Sequence, residues 1–132
     1  MKLRDVVRRP WKSERFGGRG YEFVTGEAVF RVDPKQETGI VDLDRCAVDS
    51  DGFVEYTADV HMLVPQEDGN GRLLLEIVNR GNKRMLQFFN DAAPSNFPSS
   101  DEHAGNGFLM RRGYTLAWIG WQGDLVPGNG RM

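Results

Sequence analysis

The sequence predicts an α+β chain that passes into α/β: an antiparallel, β-rich N-terminal part followed by a first βαβ unit. Three observations predict it. Residues 53–64 alternate, with Val54, Tyr56, Ala58, Val60, Met62 and Val64 in phase against Glu55, Thr57, Asp59 and His61, the period of a half-buried strand. Residues 73–78 (LLLEIV) are an apolar run too continuous for a strand with one wet face, so they fit a strand covered on both sides. Residues 114–119 (YTLAWI) form a second such run, and two buried strands joined by a helical crossover make a βαβ unit.

Residues 1–20 read as an irregular basic lead-in, because Arg9-Pro10-Trp11 and Gly17-Gly18-Arg19-Gly20 are turn signals. Trp11 and Phe16 are its expected anchors. Residues 21–132 read as a single β-rich domain that runs into the α/β start. Its first strands are expected at 21–24 and 27–32, parted at Thr25-Gly26 by a bulge or a bend. Asp33-Pro34 ends them, since proline cannot continue a central ladder. A short strand is expected at 40–43. Asp49-Ser50-Asp51-Gly52 reads as a hairpin turn, because Asp-Gly tolerates positive φ.

Beyond the alternating strand, residues 65–72 are a polar loop leading into the run at 73–78. Residues 83–89 fit a short helix with Met85, Leu86 and Phe89 on its apolar side. Pro94 and Pro98 keep the following stretch irregular. Ser99 or Ser100 caps a second helix, with Asp101 and Glu102 favourable in its first turn. That helix runs through Phe108, Leu109 and Met110 to Arg111-Arg112, and Gly113 suits the left-handed residue that ends it. Gly105 and Gly107 each cost a helix about 1 kcal/mol relative to alanine, which moves its expected start towards Asn106.

The composition narrows the class of protein. At 132 residues, with 39% hydrophobic and 27% charged residues, the chain can build one core and is neither disordered nor membrane-like in composition. No apolar run approaches the roughly 20 residues that cross a bilayer. The N-terminus lacks the apolar core of a secretion signal. A single cysteine, Cys46, excludes an internal disulfide framework and fits a reducing, cytoplasmic setting. Charge is uneven: residues 1–20 carry seven Lys/Arg against two Asp/Glu. Without a basic repeat or interleaved aromatics, that arm reads as a solvated lead-in and not as a nucleic-acid or membrane contact.

Catalytic machinery is sparse. None of Ser13, Ser50, Ser95, Ser99 and Ser100 lies in G-x-S-x-G. His61 falls on the polar face of its strand and reads as a surface or pairing residue. His103 reads as a solvated or capping residue, and Cys46 as an inert, partly buried thiol. No metal site is legible: the histidines are far apart, and Asp42, Asp44, Asp49 and Asp51 lack EF-hand spacing. The Gly-Asn-Gly triplets lack the third glycine of a dinucleotide fingerprint, so no cofactor is expected. What remains is Asn79-Arg80-Gly81-Asn82. A glycine just after a buried strand lets the backbone approach a ligand and aim N–H groups at an oxyanion. Ligands of such sheets sit at the carboxyl ends of strands, and the second such end is Gly120 to Asp124, with Trp121 and Gln122 as its pocket candidates.

The order of several segments resembles a known family. These are Val78-Asn79-Arg80-Gly81-Asn82-Lys83, Gly105-Asn106-Gly107-Phe108-Leu109, Arg112-Gly113-Tyr114-Thr115 and Gly120-Trp121-Gln122-Gly123-Asp124, preceded by Val32-Asp33-Pro34 and Asp51-Gly52-Phe53-Val54-Glu55-Tyr56. The set is similar to the N-terminal part of a poorly characterised bacterial group of α/β-hydrolase domain-containing proteins. The resemblance implies an incomplete α/β-hydrolase-like sheet and an esterase-like serine hydrolase acting on a small-molecule ester. It also implies a longer chain, in which nucleophile, acid and histidine all follow Met132. This polypeptide is therefore expected to be inactive alone, its partner being the remainder of the hydrolase or a second polypeptide that supplies the triad. Asn79, Arg80 and Gly81 would be the oxyanion-side loop. Arg80 would meet a substrate carboxylate or, the favoured reading, brace the loop against an aspartate. The rival expectation is a free-standing β-rich binding module without catalysis. An incomplete sheet would leave an apolar patch exposed, whereas a self-contained module would not.

Overall fold

Five strands in one sheet organise the chain: β1 (Lys2–Lys12), β2 (Gly20–Val32), β3 (Val54–Pro65), β4 (Leu73–Ile77) and β5 (Thr115–Ile119). The computed structural model describes residues 2–36, 38–126 and 128–132. The strand order is β1-β2-β3-β5-β4. The β1–β2, β2–β3 and β3–β5 pairs are antiparallel, and β4–β5 is parallel. Three short helices lie between β4 and β5: α1 (Met85–Asn90), α2 (Asp101–Ala104) and α3 (Phe108–Arg111).

This architecture overturns the expected fold class. A β-rich part followed by the start of an α/β-hydrolase-like sheet does not form. All five strands share one mixed, mostly antiparallel sheet, and the connection into β5 is broken into helices of six, four and four residues. The break follows from the glycines. Gly105 and Gly107 take φ values of +57° and +69°, left-handed conformations that interrupt a helix and favour glycine. A side chain at Gly107 would also collide with the carbonyl of Arg15.

One face of the sheet is covered. Trp11, Tyr21, Phe23, Leu63, Leu116 and Trp118 pack beneath Phe16, Met85, Leu86, Leu109, Met110 and Met132. The Tyr21 hydroxyl lies 3.2 Å from the Met110 carbonyl and 3.0 Å from that of Tyr114, tying β2 to the end of the helical segment. The other face is left partly open. Register places Val24, Met62, Ala117 and Leu75 in one row, and Val60, Ile119 and Ile77 in another. Exposure grows towards the edge, where Leu73, Leu75 and Ile77 are 55%, 46% and 64% exposed. The expectation that 73–78 is covered on both faces is therefore corrected. Its apolar run belongs to an edge strand whose alternate side chains, Leu74 and Glu76, face the core side.

Four local expectations are also corrected. Residues expected to be an irregular lead-in form β1, which pairs with β2 along its length. Only Trp11 of that strand is buried, so no apolar alternation marks it. β2 is continuous through Thr25-Gly26, and the irregularity lies opposite, between Arg4 and Val7. Gly26 makes room for it: a Cβ there would stand 3.1 Å from the Arg4 carbonyl oxygen. Residues 40–43 are not a strand, and a 3-10 turn occupies Leu43–Arg45. The Asp49–Gly52 turn forms, with Asp49 accepting from the Asp51 and Phe53 amides. It precedes β3 without closing a two-residue hairpin, and Arg31 binds both Asp49 and Asp51.

The two faces predict different mutational costs. Leu63→Ala is expected to lose about 2–5 kcal/mol, since it empties a fully buried site. Leu75→Ala is expected to change stability by less than about 1 kcal/mol. Urea unfolding of the two variants checks the assignment.

Candidate functional site

The carboxylate of Glu76 fixes the region after β4. Glu76 points to the covered face and accepts from the amides of Arg84 (2.9 and 3.1 Å) and Met85 (2.9 Å) and from Trp118 Nε1 (2.8 Å). The residue before α1 is Arg84, whose side chain caps nothing. Glu76 therefore satisfies the orphan amides that a local serine or aspartate would otherwise take. The chain leaves β4 at Ile77 and must return to this carboxylate seven residues later. Residues between them close into a tight loop, in which Asn79 and Asn82 form an isolated bridge.

That loop holds the sequence-predicted site residues, and the structure brings them together with those after β5. The Arg80 amide donates to Gln122 Oε1 at 2.7 Å, and Trp121 Nε1 donates to the Val78 carbonyl at 2.8 Å. Arg80 and Gly81 both have positive φ, +51° and +73°. Asn82 Nδ2 closes the turn on the Arg80 carbonyl at 3.2 Å. The chain's own C-terminal segment covers Gly81: Met132 N donates to its carbonyl, and a Cβ there would come within 2.7 Å of Leu125 and Arg131. In this state the Arg80 N–H is already satisfied by Gln122. The favoured reading of Arg80 as a brace against an aspartate has no support among the described residues, where its guanidinium forms no ion pair.

A second cluster, missed by sequence reasoning, lies just behind the turn. His61, expected on a wet face, is 7% exposed, and Lys83 is 5% exposed. Lys83 Nζ lies 2.6 Å from His61 Nδ1 and also donates to the Asn96 carbonyl. Phe23, Phe97 and Trp118 surround the amine, with ring centroids 5.6, 5.3 and 5.7 Å away. Burial pushes Lys83 down to about 7, while Asp59 and Glu76 pull the other way. Burial first, and then the Lys83 charge, push His61 down to about 3, so its ring is neutral at neutral pH. The missed signal was Leu63, which shares the parity of His61 in β3. The charged residues Glu55 and Asp59 set the apparent polarity of that face, but only its first half is wet.

Among the serines, Ser100 Oγ lies 3.1 Å from His103 Nδ1, which also accepts from the Ser99 amide at 3.2 Å. This is a local contact across the first turn of α2; Ser100 occupies the cap position, but, contrary to expectation, its side chain bonds to no helix amide. Cys46 is exposed and not partly buried. Among the described residues no three His, Cys, Asp or Glu side chains gather as a metal site, and no helix is long and apolar enough to cross a membrane. No family model, curated protein or solved structure matches the chain.

The buried pair makes stability depend on pH, and the sign follows from proton counting. Unfolded Lys83 titrates at 10.5 and folded Lys83 at about 7, so the unfolded chain binds more protons between those values. Stability is then fully present above pH 10.5 and is lost as pH falls towards 7, by up to about 5 kcal/mol. His61 acts in the same sense lower down: its contribution is present above 6.5 and lost as pH falls to about 3. Tyr21, raised by burial to about 12, opposes only above pH 10. Urea midpoints are expected to rise from pH 7 to pH 9.5, and Lys83→Met is expected to flatten that rise.

Proposed function

We propose that this chain is a β-rich part of an esterase-like serine hydrolase, silent by itself, that contributes a pocket wall of Asn79, Arg80, Gly81, Trp121 and Gln122. The observation that carries this reading is the exposed row of Leu73, Leu75 and Ile77 on an edge strand that runs directly into the turn. An edge with unpaired backbone groups and apolar side chains calls for a cover. The cover proposed is further polypeptide, either the remainder of a hydrolase chain or a second polypeptide, bringing nucleophile, histidine and acid. The Arg80 amide then becomes an oxyanion donor as the Gln122 side chain gives way. The proposed substrate is a small-molecule ester in a cytoplasmic setting, with no cofactor, nucleic acid or membrane involved.

A second reading, a free-standing β-rich binding module, is favoured by the closure of the turn. Gln122, Leu125 and Met132 of the chain itself already fill the space against Arg80 and Gly81.

One measurement tests the silence of the chain, and a second separates the two readings. The chain alone is expected to show no saturable hydrolysis of p-nitrophenyl butyrate; saturable turnover abolished by Ser100→Ala would overturn its silence. The mRNA read through the Met132 codon is expected to continue in frame to a G-x-S-x-G segment. A stop codon at that point, together with a monomeric chain in sedimentation, would favour the binding module. If instead the chain self-associates, the double variant Leu75→Lys/Ile77→Lys is expected to make it monomeric.

A further inference from the structure

Lys83 is buried, and no carboxylate among the described residues forms an ion pair with it. Among the described residues its amine contacts only the His61 ring nitrogen and the Asn96 carbonyl, inside three aromatic rings. An ammonium in such a place loses its hydration with no carboxylate in ion-pair contact, and burial outweighs the more distant Asp59 and Glu76, so the neutral amine is favoured. A neutral amine in an apolar pocket is a nucleophile towards carbonyl carbon. Beside it opens a cavity of about 600 Å³ lined by Lys83, Arg84, Gln87, Ser95, Asn96 and Phe97. Phe97, half exposed, lines this cavity together with Lys83, and its ring centroid stands 5.3 Å from Nζ. Among the described residues the Arg84 guanidinium has neither an ion-pair nor a hydrogen-bond partner. It is therefore free to bind an anion at the cavity wall.

We propose that Lys83 is an amine nucleophile that condenses with a small aldehyde or 2-oxo acid whose carboxylate is held by Arg84. The Nζ lone pair attacks the carbonyl carbon, and the carbon–oxygen π electrons move to oxygen. Both amine protons leave with that oxygen as water, and a carbon–nitrogen double bond forms. The condensation needs neither oxidant nor reductant. His61 Nδ1 lies 2.6 Å from Nζ; in the tautomer protonated on Nε2 it accepts a hydrogen bond from the amine and so positions Nζ, which makes it a positioning residue. This site stands apart from the ester reading, and neither depends on the other.

The test uses the full chain with glyoxylate and cyanoborohydride at pH 7.5, the imine being trapped as a carboxymethyl adduct located by peptide mass spectrometry. The exposed lysines Lys2, Lys12 and Lys35 are the internal controls. An exposed lysine is almost wholly protonated at this pH, so Lys83 is expected to react at least about tenfold faster. Glyoxylate is expected to label Lys83 faster than acetaldehyde does, and Arg84→Gln is expected to abolish that preference. Phe97→Ala is expected to raise the rate at Lys83 by removing a ring that crowds the buried amine. Adducts on the three exposed lysines with Lys83 unmodified from pH 7 to pH 10, in both the wild type and Phe97→Ala, would overturn the proposal. Equal rates for glyoxylate and acetaldehyde in the wild type would overturn the role of Arg84.

Discussion

One carboxylate holds together the strand, the helix and the loop on which every candidate site depends. Glu76 takes amides from the start of α1 and the indole N–H of Trp118 in the neighbouring strand. A charged acceptor bonded by several N–H groups is among the stronger polar arrangements available to a protein. Because both ends of the 77–84 excursion are fixed at this point, the loop has little freedom. Arg80 and Gly81 must take left-handed backbone, and Lys83, the last residue before the carboxylate's amides, is turned into the core. The donor turn and the buried amine are two outcomes of the same closure.

Single elements, but not the fold class, were legible where a residue's neighbours in sequence decide its conformation. The turn at Asp49–Gly52, the helix end at Gly113 and the strand at 54–65 all follow from local chemistry. What was not legible depends on partners far along the chain. β1 is held by its ladder to β2 and offers no buried face, so its Arg- and Lys-rich sequence could not announce a strand. The run at 73–78 was read as doubly buried because its composition is apolar. Composition cannot say whether a second layer exists. In β3 the period was read correctly, yet the sides were exchanged in its second half, because Glu55 and Asp59 outweighed Leu63.

The candidate site divides in the same way. The turn at Asn79, Arg80 and Gly81 could be found from its glycine and its place after an apolar run. Its closure by Gln122 could not, since that contact spans 42 residues. The Lys83–His61 contact was invisible for a stronger reason. Lysine in a loop is ordinarily solvated, and only the packing of Phe23, Phe97 and Trp118 around it makes this one different.

The bulge in β1 gives the sheet a direction. Along that border the strand carries Arg4, Arg8, Arg9 and Pro10 and departs from regular pairing opposite Gly26, features that discourage a further strand from joining. β4, at the opposite border, pairs regularly with β5 and carries no arginine, lysine or proline, its shortness being its only such guard. Addition of strands is thus more strongly opposed on the β1 side than on the other. A sheet of this kind is more readily extended beyond β4, the strand that leads into the Asn79–Asn82 turn.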